Sequence, residues 1–274
     1  MTVEICSESF GERSDPAVLL IMGAMASMLW WPDEFCRKLA DSGRFVIRYD
    51  NRDTGRSTGY EPGTASYTSD DMAGDAIRVL DERGVQRAHV VGMSMGGGIA
   101  QLVALDHPDR VLSLTAISTS AIGDGDGDLP GPTAEYMEHA AAFHDLDWSD
   151  TAALADLLVR DSRALSGTRH SFDEPAAREF VARDLERAID PSRLVNHDSV
   201  GGGEGTARRA RDIGVPLLVI HGTADPLLPL AHGVALAEAV PRATLVTIEG
   251  GGHELHENDW DPMLRAIVTH TAAA

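Results

Sequence analysis

The chemistry available to this sequence centres on a single serine that lies between small residues. The run VVGMSMG at positions 90–96 places Ser94 in a G-x-S-x-G motif, after a strand-like apolar run and before a helical one. This context is typical of a nucleophile elbow, in which a tight turn lifts the hydroxyl clear of a sheet. A phosphate-binding loop is the competing interpretation, but the G-K-[ST] and G-x-G-x-x-G patterns that it needs are absent. We therefore predict that Ser94 is a nucleophile.

A serine hydroxyl needs a base, and the base needs an orienting group. The later part of the chain offers one candidate for each role. Asp225 follows the apolar run at 215–220, and His253 follows the run at 244–248 after three glycines. Active-site groups project from the carboxyl ends of strands in parallel sheets. We predict Asp225 as the orienting acid and His253 as the base. The glycines at 250–252 predict a mobile loop that brings the imidazole over the serine.

The other histidines have less suitable positions for the base. His256 and His270 fall within or near the last predicted helix, and His221 precedes the acid, where we expect it to bond locally. His139 and His144 are five residues apart, which is a poor spacing for two ligands on one helical face. The sequence predicts neither a metal site nor a bound cofactor.

An oxyanion hole is the remaining requirement, and it consists of two backbone N–H groups aimed at the tetrahedral intermediate. We expect one N–H from Met95, the residue after the nucleophile, and one from Ala24, in the loop after the strand at 17–22. Gly23 allows that loop to turn, although an ordinary strand-exit turn is the alternative. Large apolar residues flank these positions and predict an apolar pocket shared with the core: Met25, Met28, Trp30, Trp31, Met93, Leu227 and Leu228.

The elements that must position these groups alternate between strands and helices. Continuous apolar runs predict buried strands at 17–22, 45–49, 88–93, 112–117, 215–220 and 244–248. Helical periodicity occupies 69–83, 94–106 and 230–240. Strands that alternate with helices indicate an α/β fold with a mostly parallel central sheet flanked by helices.

A different pattern interrupts this alternation between positions 122 and 205. The segment has no strand-like run, and helical patterns cover 133–143, 150–160 and 174–189. The acidic GDGDGD run at 123–128 is a turn-rich loop that lacks the ligand spacing of an EF-hand. We predict a core domain of residues 1–121 and 206–274, and a helical cap at 122–205 that selects the substrate.

Composition restricts the class of partner. The 274 residues carry 43 acidic and 23 basic side chains, a net charge of −20, which disfavours nucleic acid and anionic membranes as partners. Two cysteines are too few for a disulfide framework. We saw no spanning apolar run and no export signal, so we expect a cytoplasmic protein whose partner is a small apolar ester.

Taken together, these motifs resemble the α/β-hydrolase fold family over nearly the whole chain. Asp50-x-Arg52-x-x-Gly55-x-Ser57 is similar to the family's D-x-R-G-x-G-x-S turn, with Asp53 where glycine is usual. That turn is structural in the family, so we do not assign it to the site. Met22-Gly23 stands where many members carry H-G.

A closer likeness is to the aclacinomycin methylesterase group of polyketide-tailoring enzymes. It rests on the segments LIMG, WPDEF, VIRYDNRDTGRST, AHVVGMSMG and ALDHPDR. The resemblance implies hydrolysis of a carboxylic ester, such as a bulky methyl ester, through an acyl-enzyme. Lactone hydrolysis, C–C bond hydrolysis and cofactor-free perhydrolysis use the same triad and stay open. So does a non-catalytic hydrolase fold that binds a small ligand.

Overall fold

The predicted α/β-hydrolase architecture is confirmed by the computed structural model, which describes residues 3–123, 129–201 and 208–273. Within these residues, seven strands form one sheet. They are β1 (Ser7–Phe10), β2 (Ala17–Ile21), β3 (Phe45–Tyr49), β4 (Ala88–Met93), β5 (Val111–Ile117), β6 (Leu217–Gly222) and β7 (Thr244–Ile248). Their spatial order is β1-β3-β2-β4-β5-β6-β7, and every neighbouring pair is parallel except β1 with β3.

Helices connect the strands and cover both faces of the sheet. They are α1 (Asp33–Asp41), α2 (Ser69–Glu82), α3 (Met95–Asp106), α4 (Ala134–Ala140), α5 (Thr151–Leu165), α6 (Glu174–Arg187), α7 (Ala231–Ala239) and α8 (Trp260–Ala272). Short 3-10 helices lie at Met28–Trp30, Pro108–Arg110, Ala141–Phe143, Pro191–Ser199, Ala210–Asp212 and Glu257–Asp259. In the part of the chain that is described, no helix is long and apolar enough to cross a membrane.

The continuous apolar runs are explained by two layers of core packing. Alternate residues of β2 point to opposite faces, so Leu19 packs with α2 and α3 while Leu20 packs with α1 and α8. All of β2, β3 and β4 is buried in this way. Burial on both faces removes the polar alternation expected of a strand with one solvated face.

The insertion between β5 and β6 is helical, as the sequence predicts. Its helices α4, α5 and α6 are followed by the 3-10 helix Pro191–Ser199. A separate apolar cluster holds it together, formed by Leu154, Leu158, Val159, Val181, Leu185 and Leu194. Residues 124–128 of the predicted acidic loop lie outside the described residues. The division into a core domain and a cap at 122–205 stays a prediction.

Candidate active site

Ser94 lies at the junction of β4 and α3 in a backbone conformation that few side chains adopt. Its φ of 53° and ψ of −124° are in a strained region, as a nucleophile elbow requires. The turn is closed by hydrogen bonds from Ser94 N–H to the Ile117 carbonyl at 2.9 Å and from Gly97 N–H to the Ser94 carbonyl at 2.8 Å. A Cβ on Gly92 would lie 2.1 Å from the Gly96 carbonyl oxygen, so only glycine fits this turn.

Asp225 and His253 form a buried hydrogen-bonded pair. His253 Nδ1 lies 2.8 Å from Asp225 Oδ2, and the two residues are only 6% and 4% exposed. Asp225 Oδ1 accepts the N–H groups of Leu227 and Leu228 at 3.0 and 2.8 Å. Since an ionised carboxylate only accepts, Nδ1 carries the proton and Nε2 has a free lone pair. This is the tautomer that a general base needs.

The environment of Asp225 keeps it ionised. Burial acts to raise its pKa, but the hydrogen bond from His253, its electrostatic attraction and the Leu228 N–H act the other way. The net effect is an Asp225 pKa below its usual value. A charged carboxylate therefore faces the imidazole at neutral pH.

The three predicted residues stand at the carboxyl ends of β4, β6 and β7, at the same edge of the sheet. The structure brings Asp225 and His253 into direct contact. Among the described residues, the Ser94 hydroxyl does not hydrogen-bond to His253. Such bonds are often long in substrate-free enzymes and shorten when substrate binds.

The glycines before His253 have a different role from the mobility that we predicted. Gly251 and Gly252 are buried, and Gly250 accepts the Thr168 N–H at 2.8 Å. A Cβ on Gly252 would lie 2.3 Å from the Gly167 nitrogen. His253 N–H donates to the Leu165 carbonyl at 2.8 Å. The glycines thus allow the insertion to approach the backbone closely, which holds the base in place.

The segments that carry the two predicted oxyanion donors both adjoin Ser94. A Cβ on Gly23 would lie 3.1 Å from the Ser94 Cβ, so the loop after β2 passes directly against the nucleophile. Among the described residues, the Ala24 N–H donates to no protein acceptor. Met95 is the first residue of α3, so its N–H has no partner within the helix. Both N–H groups are therefore available to a ligand.

Sequence reasoning missed the residues that support this loop. Asp50 accepts the Met28 N–H at 2.9 Å and pairs with Arg187 at 2.8 Å, so the D-x-R turn links the loop to α6. Asp184 and His197 also contact the loop from the insertion. Neither belongs to a recognisable motif, and only their distance in the fold reveals the contact.

The apolar residues near the site fall into two groups, and the predicted apolar pocket stays a prediction. Met28, Trp31 and Met93 are buried in the core. Met25 packs against the apolar cluster of the insertion, and Trp30 stacks edge-to-face with Phe180 at 4.8 Å.

The remaining histidines make local contacts. His221 Nε2 donates to the Leu228 carbonyl at 2.7 Å, as predicted. His170, His256 and Asp259 have ligand atoms within 4.8 Å of one another, close enough for a metal ion. However, the two imidazoles stack in nearly parallel planes, with their ring centroids 4.1 Å apart, and His170 already pairs with Asp259. In-plane lone pairs of parallel rings do not converge, so this arrangement does not suit a metal.

Comparison with known proteins places the chain in a family. The model of the alpha/beta hydrolase fold family matches residues 16–259. The chain belongs to this family. Rhodomycin D methylesterase DauP of Streptomyces sp. (strain C5) is 37% identical to it, over 99% of this chain and 96% of that protein. Rhodomycin D methylesterase DnrP of Streptomyces peucetius is 36% identical over the same shares, 99% and 96%.

Solved structures agree on the fold. Esterase RhEst1 from Rhodococcus sp. ECU1013 matches with a TM-score of 0.80 at 22% identity, covering 99% of this chain and 95% of that one. The comparisons confirm the predicted fold, the likeness to the methylesterase group and the predicted class of carboxylic ester hydrolase.

Proposed function

We propose that this chain hydrolyses a bulky methyl ester through an acyl-enzyme on Ser94, with His253 as base and Asp225 as its orienting acid. The observation that carries the proposal is the buried Asp225–His253 hydrogen bond at the sheet edge where the strained Ser94 turn lies. That bond leaves His253 Nε2 free to take a proton. Backbone strain of this kind is costly and clusters at functional sites, which favours a functional role for Ser94.

The first half-reaction follows from these positions. His253 Nε2 takes the hydroxyl proton as Ser94 Oγ attacks the ester carbonyl carbon. The carbonyl oxygen becomes an oxyanion that accepts the N–H groups of Ala24 and Met95, and each such donor contributes about 3 to 4 kcal/mol to the transition state. The C–O bond to the alcohol then breaks, and His253 returns its proton to the leaving alkoxide. Methanol departs and the acyl group stays on Ser94.

Water completes the cycle by the same route. His253 takes a proton from water, and the hydroxide oxygen attacks the acyl carbonyl to form a second oxyanion. Ser94 Oγ leaves with the proton from His253, which releases the carboxylic acid. No step needs an electron acceptor or a further reactant.

The choice of a methyl ester is supported by the two relatives named as methylesterases, which this chain matches over nearly its full length. The insertion is the part of the chain that selects among esters in this proposal. Its helices supply apolar residues beside the site, and each altered apolar contact is worth about 1 to 3 kcal/mol in discrimination. A small-molecule substrate and a cytoplasmic location complete the proposal. The net charge of −20 supports the absence of nucleic-acid and membrane partners.

The test is Ser94→Ala, assayed on a short p-nitrophenyl ester and on a bulky methyl ester. We expect kcat to fall at least about a thousandfold because the attacking oxygen is gone. The melting temperature should stay close to that of the wild type, and a fluorophosphonate probe should no longer label the protein.

Ser120→Ala is the matched control. Ser120 Oγ lies 2.6 Å from His232 Nδ1, so it is a second serine beside a histidine, but it has no role in the proposal. Its loss should leave kcat within a few-fold of wild type. Turnover by folded Ser94→Ala above a thousandth of wild type would place the nucleophile elsewhere. Absence of any ester turnover by the wild type would favour the ligand-binding alternative.

A further inference from the structure

The loop that carries the predicted oxyanion donor Ala24 has an unusual anchor. The next residue, Met25, has a φ of 58°, which a non-glycine side chain rarely adopts. Its backbone N–H donates to His197 Nδ1 at 2.8 Å. The bond fixes the peptide between Ala24 and Met25, which adjoins the peptide that carries the Ala24 N–H. A strained turn persists only where its surroundings hold it.

The state of the His197 ring is set by its two partners. While Nδ1 accepts from Met25, Nε2 lies 2.7 Å from the Arg52 carbonyl, which can only accept. The ring is therefore neutral, with its proton on Nε2. Burial lowers the pKa of His197, against the opposing effects of the Arg52 carbonyl and Asp53, so the neutral ring is favoured. His197 is only 5% exposed, so water does not readily replace either bond.

His197 belongs to the insertion and not to the sheet. It lies on the 3-10 helix Pro191–Ser199, 172 residues from Met25 in the chain. The Met25 side chain packs into the same apolar cluster as Leu194, so side chain and backbone hold the loop together. Further along the loop, Asp184 of α6 accepts from Ser27 Oγ and from Trp30 Nε1, the latter at 2.8 Å. The insertion thus contacts the loop after β2, which carries Ala24, at several points.

We propose that His197 is a positioning residue for the oxyanion hole, holding the Met25 peptide so that the Ala24 N–H stays directed at the Ser94 reaction centre. This rests on the proposed function, because it assigns a role only if Ala24 is a donor to the oxyanion. His197 does not touch the reacting atoms. It acts through one accepted hydrogen bond.

Two substitutions separate the two nitrogens of the ring. In His197→Asn the amide oxygen can take the position of Nδ1 and accept from Met25. In His197→Gln the longer amide can reach the Arg52 carbonyl as Nε2 does, but it leaves Met25 without an acceptor. We expect His197→Gln to lower kcat about 10- to 100-fold and to leave KM within about threefold of wild type. The loss in kcat is smaller than the roughly 10²- to 10³-fold loss that follows removal of a whole oxyanion donor, because the donor is displaced and not removed. Asn should restore kcat to within about fivefold of wild type.

The readouts are kcat and KM on a p-nitrophenyl ester, the inhibition constant of a trifluoromethyl ketone, and the melting temperature. The ketone forms a tetrahedral oxyanion on serine, so its affinity should fall in the same proportion as kcat/KM. In wild-type protein, ¹⁵N chemical shifts of the His197 ring should show Nε2 protonated and Nδ1 bare. This last measurement needs no variant to fold.

Equal activity of Gln, Asn and wild type would overturn the positioning role. So would equal losses in both variants that follow the melting temperature, or a ring protonated on Nδ1. If instead Ser94→Ala keeps its turnover, the proposed function itself fails, and the His197 variants are not needed to show it.

Discussion

Replacement of Asp225 by asparagine tests the orientation of the base with almost no change in shape. Asp225 uses both oxygens, one for the Leu227 and Leu228 N–H groups and the other for His253 at 2.8 Å. In Asp225→Asn the amide oxygen must stay where the two N–H groups donate. The amide NH₂ then faces His253 Nδ1 and donates to it.

This exchange reverses the tautomer of His253. With Nδ1 forced to accept, the proton moves to Nε2, which can no longer take one from Ser94. The same inversion in an unrelated serine-protease triad lowers kcat about 10⁴-fold. That factor corresponds to about 5 kcal/mol of lost transition-state stabilisation. We expect a comparable loss here, with KM changed by only a few-fold.

The assay is steady-state turnover of a p-nitrophenyl ester at pH 7.5, with circular dichroism and thermal unfolding to verify the fold. Asp259→Asn is the matched control, since Asp259 is a buried carboxylate that also pairs with a histidine, His170 at 3.1 Å. It should keep kcat within a few-fold of wild type. A loss below tenfold in folded Asp225→Asn would refute the tautomer argument. An equal loss in Asp259→Asn would show a general effect of charge removal.

Two further predictions concern packing and acid stability. Gly252→Ala should lower the free energy of unfolding by about 1 to 3 kcal/mol, and with it the melting temperature and kcat, because its Cβ would lie 2.3 Å from the Gly167 nitrogen. Gly98→Ala is the control, since a Cβ there would meet no atom outside its own helix within 4 Å, and it should be neutral or stabilising. Burial lowers the pKa of His89 to about 4 from an ordinary 6.5, so the unfolded chain binds the extra proton between these values. The free energy of unfolding should therefore fall with decreasing pH, by up to about 1.4 kcal/mol per pH unit from this group. Urea titrations at pH 7, 6 and 5 should show that the free energy of unfolding of His89→Gln depends less on pH than that of the wild type.

The strands that matter most to the site were readable from the sequence because each carries a short, mostly apolar run, although β3, β4 and β6 are fully buried and β7 is partly exposed. β3, β4 and β7 have the predicted bounds, and β6 is displaced by two residues to Leu217–Gly222. β1 was missed because SESF is short, three of its four residues are polar and it is paired on one side only, so it has no apolar signature. A strand of this composition depends on pairing and packing against its neighbour.

The candidate site divides along similar lines. Ser94, Asp225 and His253 could be predicted because each follows a strand at a position that the fold dictates, and the structure places all three at one edge of the sheet. His197 and Asp184 were not, since a buried histidine or aspartate in a helical segment has no local pattern that names its partner. The glycines at 250–252 were recognised but given the wrong reason. Glycine spacing shows that a side chain is excluded, whereas only the structure shows that the excluding atoms are the backbone at Gly167.

The insertion, predicted as a cap that selects the substrate, also contacts the candidate site residues directly. Its Leu165 carbonyl accepts the His253 N–H, and its His197 and Asp184 hold the loop that presents Ala24. The proposed base and the proposed oxyanion donor thus both depend on backbone positions that the insertion fixes. A transplanted insertion that fits a new ester but lacks an acceptor for Met25 would alter kcat together with specificity. Any residue at position 165 supplies the carbonyl that accepts from His253, but few side chains at position 197 can accept from Met25. The contact between His197 and Met25 is therefore the one that limits which insertions this core can accept.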